Sequence, residues 1–268
     1  MKRWPTLHHF VAGIYFTLQP GPLMELIVGT KARVREWANR HLRKGNNWNC
    51  AQYAGDDNEW VLGYWDSRNH SHRPFLIDKI SGFYPFTSIL ETGCNCGPNL
   101  YLAARKFPGI DMTGIDINPM AIEKGREFFA TEGISNVKLS VAKADELGQF
   151  QDNSFDVVFT DAVLIYIGKD KIHGVIKEMV RIARKGLVLV EKHSFEPGNK
   201  DRHGLGIRHF GTWQRDYTAL LKQFVPETRI HTTKITEDMC VDPGWQEAGA
   251  IIEVGLESVT HPQQPPRL

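Results

Sequence analysis

From residue 88 onward, short runs dense in apolar residues alternate with stretches whose apolar positions recur every three to four residues. Ile89-Leu90, Met112 to Ile117, Val137 to Val141, Phe155 to Phe159 and Gly186 to Glu191 read as strands. Most lack the strict alternation of a half-exposed strand, so both faces of their sheet are expected to be covered. Between them lie three helical patterns, Pro98 to Lys106, Pro119 to Thr131 and Lys171 to Ala183. Pro98 and Pro119 suit a first helical turn, Asn118 is a good N-cap, and Gly133 stands where a helix would end. A short helix, Phe75 to Ile80, precedes the first strand. A helix over Thr212 to Phe224 and strands near Arg229 to Ile235 and Ala250 to Leu256 follow the last one. Alternation of this kind predicts an α/β fold with a mostly parallel sheet and ligands over the carboxyl ends of its strands.

Upstream the pattern changes. Phe10 to Leu18 is apolar but closed by Gln19-Pro20-Gly21-Pro22, far short of the ~20 residues that span a bilayer. Leu23, Leu26, Ile27, Val34, Trp37, Ala38 and Leu42 then recur at helical spacing, with Lys31, Arg33, Arg35, Arg40 and Arg43 on much of the opposite side. This amphipathic basic helix would either cap the core with a solvated face or dock on a membrane surface, RNA or another subunit. Residues 45 to 60 are polar and turn-rich, which reads as a connecting loop. Tyr64 to Pro74 concentrates aromatic, basic and imidazole groups. The expected organisation is an arm over residues 1–60, a catalytic domain over 61–258 and a flexible tail over 259–268.

Composition narrows this picture little. The chain has 268 residues, 41% of them hydrophobic and 24% charged, which excludes a disordered protein. A net charge of +1 gives no general attraction for nucleic acid, although residues 1–44 hold eight Lys/Arg against two Asp/Glu. Cys50, Cys94, Cys96 and Cys240 make no disulfide framework in a chain of this size, so a reducing, cytoplasmic setting is expected. Cys94-x-Cys96 lacks a partner pair at zinc-like spacing, and no metal is expected.

Chemistry concentrates in Glu91-Thr92-Gly93-Cys94-Asn95-Cys96-Gly97, a tight turn from strand to helix, followed 19 residues after Gly97 by Asp116 at the end of the next strand. That spacing places a ribose-gripping acid beside a nucleotide turn. A dinucleotide fingerprint begun at Gly93 would require glycine where Asn95 and Pro98 stand, so close approach to a pyrophosphate is not provided for. The pattern Glu-x-Gly-x-Asn-x-Gly with Asp116 resembles motifs I and II of the class I S-adenosylmethionine-dependent methyltransferases. Asn95 replaces that family's usual glycine, a mild departure because Asn tolerates left-handed backbone. Ala144-Asp145-Glu146 resembles the family's adenine-side motif and Phe155 to Tyr166 its fourth motif, with Gly186 to Glu191 as its fifth strand.

The resemblance implies a Rossmann-like doubly wound sheet of about seven strands ending in an antiparallel hairpin, with S-adenosylmethionine as cofactor. It implies Glu91, Gly93, Asn95, Gly97, Asp116, Ile117, Ala144, Asp145, Glu146, Thr160 and Asp161 as cofactor-binding residues. Glu91 would support the turn and the donor's ammonium group, Asp116 the ribose hydroxyls and Asp145 the adenine amino group. Helix capping is an equal reading for Thr160 and Asp161. By the same analogy Trp65 would cover the donor and Arg68 pair with its carboxylate; an exposed polar loop anchored by one Trp is the equal alternative.

Acceptor-side candidates lie beyond the fifth strand. His193, His203 or His209 could take a proton from the acceptor, while structural histidines, or anion binding with Arg202 and Arg208, compete with that reading. Tyr166, Arg208, Arg215 and Tyr217 are candidate substrate contacts, with helix-face packing as the rival for the last two. The favoured function is methyl transfer to a small-molecule acceptor at oxygen or nitrogen by in-line displacement. The alternatives are an RNA or protein methyltransferase docking through the basic arm, and a non-catalytic cofactor-binding subunit of another methyltransferase. Expected partners are the small acceptor and a possible second copy or membrane surface at the arm, with no transmembrane segment.

Overall fold

The computed structural model describes residues 59–196, 205–209 and 212–256; the proposed N-terminal basic helix and the tail lie outside them. Seven strands form one sheet: β1 (Ser88–Thr92), β2 (Asp111–Asp116), β3 (Val137–Val141), β4 (Phe155–Asp161), β5 (Ala183–Lys192), β8 (Ile230–Lys234) and β9 (Gly249–Gly255). Their spatial order is β3-β2-β1-β4-β5-β9-β8. The first five are parallel; β9 runs antiparallel to β5, and β8 antiparallel to β9. Two further short strands, β6 (Ile207–His209) and β7 (Thr212–Gln214), pair separately.

Seven α-helices are described: α1 (Glu59–Asp66), α2 (His72–Ser81), α3 (Pro98–Lys106), α4 (Pro119–Thr131), α5 (Ile172–Ile182), α6 (Tyr217–Leu221) and α7 (Pro243–Ala248). Alternate residues of the central strands feed two cores. Ile89, Val157, Phe159, Val188 and Val190 pack with Leu76, Ile80 and Leu100 of α2 and α3. Leu90, Val158, Leu187 and Leu189 pack on the other face with Ile172, Val175, Ile176 and Met179 of α5. A sheet buried on both sides has no polar face to show, which explains the nearly unbroken apolar runs.

Two expectations need correction. Tyr64 to Asp66 belongs to a helix, and a 3₁₀ turn over Ser67–Asn69 leads to α2, which starts at His72 rather than Phe75. Pro74 falls in the first turn, where a missing N–H has no intrahelical acceptor to lose. The helix expected over Thr212 to Phe224 is split: Thr212–Gln214 is strand, and Asp216 caps a helix that begins at Tyr217, accepting from Ala219 N at 2.9 Å. Among the described residues no helix is long and apolar enough to cross a membrane.

Candidate functional site

β1 has β2 on one side and β4 on the other, and the chain's winding reverses between them. That reversal opens a crevice above the carboxyl ends of β1 and β4, and the motif-bearing turn sits there. Gly93, Asn95 and Gly97 all adopt left-handed backbone, with φ of 75°, 51° and 88°. A β-carbon on Gly93 would lie 2.3 Å from Val163 Cγ2, and one on Gly97 2.7 Å from Phe129 Cε2. Glycine is therefore required twice, by backbone conformation and by close packing. Asn95 is, after glycine, one of the residue types that bear the intermediate position at least cost.

The turn is laced to the end of β2. Gly93 N and Cys94 N donate to Ile115 O at 2.7 and 2.9 Å. Asn95 N donates to Asp116 Oδ2 at 2.9 Å, and Asn118 N to Asp116 Oδ1 at 2.8 Å. Burial pushes the Asp116 carboxyl above the usual range, and the N–H groups of Asn118, Asn95 and Ile117 oppose it. Each carboxylate oxygen retains lone-pair capacity for a further donor such as a ribose hydroxyl. Ile117 is half-buried beside it.

Beside the turn lies a buried polar network that the sequence reading largely missed. Arg73, on α2, is 3% exposed. Its Nε and Nη2 donate to Ser67 O and Oγ at 2.8 and 2.7 Å, and its Nη1 to Asn99 Oδ1 at 2.6 Å and Asp161 Oδ2 at 3.1 Å. Asn99 Nδ2 then donates to Glu91 Oε1 at 2.7 Å and to Asp161 Oδ2 at 3.1 Å. His72 Nε2 stands 3.0 Å from the same Asp161 oxygen. Burial alone would raise the Asp161 carboxyl, but His72, Arg73 and Asn99 together hold it well below the carboxylate range. Glu91 goes the other way: burial raises it well above the usual range, against the Asn99 hydrogen bond. Its Oε2 is buried with no hydrogen-bond partner among the described residues.

Arg73 had a readable signal. Arg73, Leu76, Ile77 and Ile80 are all buried and spaced i, i+3, i+4, i+7, so a guanidinium occupies the apolar stripe of its helix. A cation there requires buried anionic partners. Arg68, the sequence-based candidate, has its Nη1 3.0 Å from Trp65 O and 3.2 Å from Asp66 Oδ1 and lies over the Trp65 and Tyr101 rings. Trp65 is buried among Tyr101, Phe128 and Phe129 of α3 and α4.

Of the residues expected at the adenine, Ala144 is half-buried, Asp145 pairs with Lys171, and Glu146 pairs with Lys143 at 2.6 Å. At the end of β4, Thr160 is fully buried and donates to Glu191 Oε1 at 2.8 Å. Glu191 also accepts from Val163 N, Leu164 N and Ile165 N at 3.0–3.1 Å. These four donors offset part of the burial penalty, leaving its pKa at about 7. Arg215, fully buried, donates to Leu164 O at 2.7 Å, to Ile167 O and to Leu205 O at 3.0 Å. A carboxylate and a guanidinium thus clamp the 163–167 segment from its N–H and C=O sides. Tyr166, on that segment, is 39% exposed.

His193 is buried and accepts from Tyr217 N through Nδ1 at 3.3 Å, so its ring helps to cap α6. Tyr217 is fully buried, and burial raises its hydroxyl pKa, with Arg215 opposing. Arg208 and His209 have their backbones in β6; their side chains, and all of His203, lie outside the described residues.

The site suits a ligand with a ribose and an amino-acid end: Asp116 can accept from the sugar, and the orphaned Glu91 oxygen can accept from an ammonium group. S-Adenosylmethionine carries both groups and has no phosphate to be cradled. Residues 89–186 match the family model for a methyltransferase domain. Sterol 24-C-methyltransferase ERG6A of Gibberella zeae is 32% identical over 117 residues, 43% of this chain and 29% of that protein. The human tRNA N(3)-cytidine methyltransferase METTL6 is 27% identical over 146 residues, 52% of this chain and 49% of that one. The chain therefore spans less than half the length of either relative. A geranyl diphosphate methyltransferase solved with S-adenosylmethionine shares the fold, at TM-score 0.54 and 15% identity, over 76% of this chain and 93% of that one. The motif-bearing turn, the strand order and the domain match agree: residues 89–186 match a methyltransferase domain, set in a sheet of the Rossmann-like order.

Proposed function

We infer that this chain transfers the methyl group of S-adenosylmethionine to a small-molecule acceptor, at oxygen or nitrogen, by in-line displacement. The observation that carries the reading is the Glu91 Oε2 atom. A fully buried carboxylate oxygen without a donor is costly unless a ligand supplies one, and the methionine ammonium group is such a donor. Arg73, joined to Glu91 through Asn99, is better placed than Arg68 to meet the neighbouring carboxylate. Asp116 receives the ribose hydroxyls, and the Ile117 and Ala144-Asp145-Glu146 side of the crevice receives the adenine.

The cofactor supplies a methyl group already activated as a sulfonium. What the chain must contribute is position, an effect that can reach ~7–11 kcal/mol for well-oriented reactants. The clamped 163–167 segment supports this role, because Val163 abuts Gly93 of the cofactor turn and so couples the acceptor side to the donor side. The relatives act on acceptors as different as a sterol and a tRNA cytidine, so acceptor choice rests with elements outside the shared core. A small acceptor is favoured because the excess of basic residues is confined to residues 1–44.

Incubating the purified protein with methyl-labelled donor and a cell extract tests this. Label should enter low-molecular-mass compounds. Label in nuclease- or protease-sensitive material would overturn the acceptor class, and no label in any fraction would overturn catalysis.

A further inference from the structure

One group in the buried network has no part in holding the donor. His72 is the first residue of α2, and its Nε2 lies 3.0 Å from Asp161 Oδ2 at the carboxyl end of β4. The side chains beneath it are closed off: Arg73 is 3% exposed, Asp161 8%, Asn99 1% and Glu91 1%. The His72 side chain is 17% exposed, so it is the member of the network that reaches solvent. Asp161 also accepts from Arg73 and Asn99, which keeps it an anion and hence purely an acceptor. Nε2 must then carry the hydrogen, and Nδ1 is left with the lone pair. An imidazole oriented by a buried carboxylate, with a lone pair on its second nitrogen and part of its side chain exposed, is the arrangement of a general base and its orienting partner.

We propose that His72 is the proton acceptor of the transfer reaction and that Asp161 is its positioning residue. The inference rests on the methyltransferase reading above. As the oxygen or nitrogen of the acceptor bonds to the methyl carbon, the carbon–sulfur bond breaks and its electron pair stays on sulfur. The hydrogen on the attacking atom passes to Nδ1. One positive charge is consumed at sulfur and one appears on the imidazolium, beside the Asp161 anion that stabilises it. The imidazolium then returns its proton to solvent.

Among the described residues, charged and titratable groups face His72 from several elements. Asp161 faces it from β4, Arg73 lies next to it on α2, and the His70 ring is 6.1 Å away. Glu91 of β1 connects through Asn99 of α3. The 236–242 segment touches the start of α2 through Ser71 Oγ and Met239 O at 2.7 Å. Its Asp238 and Asp242 carboxylates are bonded within their own turns, to Thr236 and to Gly244.

The test compares full-length wild type with His72→Ala and His72→Gln. Methyl-labelled donor is supplied with the low-molecular-mass fraction of a cell extract. S-Adenosylhomocysteine binding is measured by calorimetry on the same proteins. The variants should transfer label about 10²- to 10⁴-fold more slowly at saturating donor, with donor KM and S-adenosylhomocysteine affinity changed by less than about twofold, as a proton-transfer role requires. Added imidazole should restore part of the rate of His72→Ala. Wild-type rates in both variants would overturn the proposal. So would a loss that imidazole does not relieve and that is accompanied by weakened S-adenosylhomocysteine binding, which marks a brace for α2. If the wild type itself transfers no label, the functional reading fails first and this proposal with it.

Discussion

Glu91 has two oxygens in unlike situations: Oε1 accepts from Asn99, and Oε2 is buried with no donor. Burial raises its pKa well above the ordinary carboxyl value, so as an isolated group it weakens the fold. A ligand ammonium group would reverse that, contributing a charge-assisted hydrogen bond of about 1.5–3 kcal/mol. Stability and binding should then respond in opposite directions to Glu91→Gln. Denaturant unfolding should show a ligand-free protein at least as stable as wild type. Calorimetry should show S-adenosylhomocysteine binding about 10- to 100-fold weaker, and unchanged affinity would remove Glu91 from the site. The sequence made Glu91 legible because its spacing to Gly93, Gly97 and Asp116 is local. Arg73 was not legible from spacing to any motif; it shows only as a cation in an apolar helical stripe. Asn99 and His72 carry still less signal, since their meaning arises from an Asp161 oxygen that lies 62 and 89 residues away in the chain.

Among elements, the boundaries read most faithfully were those with local capping chemistry. α3 and α4 run over the predicted residues, with Asn118 Oδ1 accepting from Met120 N and Ala121 N at 3.0 and 3.1 Å. α6 was misread because its start is set from outside: Arg215 bridges to His193, and Ser194 N donates to Arg215 O at 2.8 Å, drawing Thr212 to Arg215 into extended structure. The 163–167 segment likewise takes its shape from Glu191 and Arg215, and its Val163 packs against Gly93 of the motif-bearing turn. Gly93→Ala should therefore perturb two elements. Its φ of 75° and the 2.3 Å approach to Val163 predict a loss of roughly 1–3 kcal/mol or more, with increased hydrogen exchange at residues 163–165. Exchange confined to residues 91–97 would show that the two elements are not coupled.

His193 gives the same region a pH dependence. Burial holds its pKa below the ordinary 6.5, with Asp216 opposing, and its Nδ1 is already an acceptor for Tyr217 N. As pH falls through 6.5, the unfolded chain takes up a proton that the folded chain refuses, so stability declines toward the depressed folded value. The slope from this one group is at most about 1.4 kcal/mol per pH unit. His193→Asn keeps an acceptor for the α6 terminus without the titration. Its stability relative to wild type should rise between about pH 7 and pH 5, measured by denaturant unfolding. A constant difference would show that His193 titrates alike in both states.

For the whole molecule, the seven-strand order follows from alternation and from apolar runs, because a strand buried on both faces can sit only inside a helix-covered sheet. The crevice at the β1–β4 reversal follows from that order. The same architecture makes ligand binding a matter of global stability: the turn, the end of β2 and the buried network belong to three separate stretches of chain, joined by hydrogen bonds such as Asn95 N to Asp116 and Arg73 to Asp161. A ligand that bridges them binds only the folded state. At a hundredfold excess over its Kd, S-adenosylhomocysteine should stabilise the fold by about 2.7 kcal/mol, raising Tm by roughly 5–10 °C. 5′-Methylthioadenosine has the ribose and adenine but no amino-acid end, so at matched concentration it should raise Tm less. In Asp116→Ala both shifts should shrink, because both ligands present the ribose hydroxyls. In Glu91→Gln only the difference between the two ligands should shrink, because the lost contact belongs to the amino-acid end. Equal shifts from both ligands in the wild type would mean that the Glu91–Arg73 end of the crevice makes no contact with the donor, and the assignment of the buried network to cofactor binding would have to be abandoned.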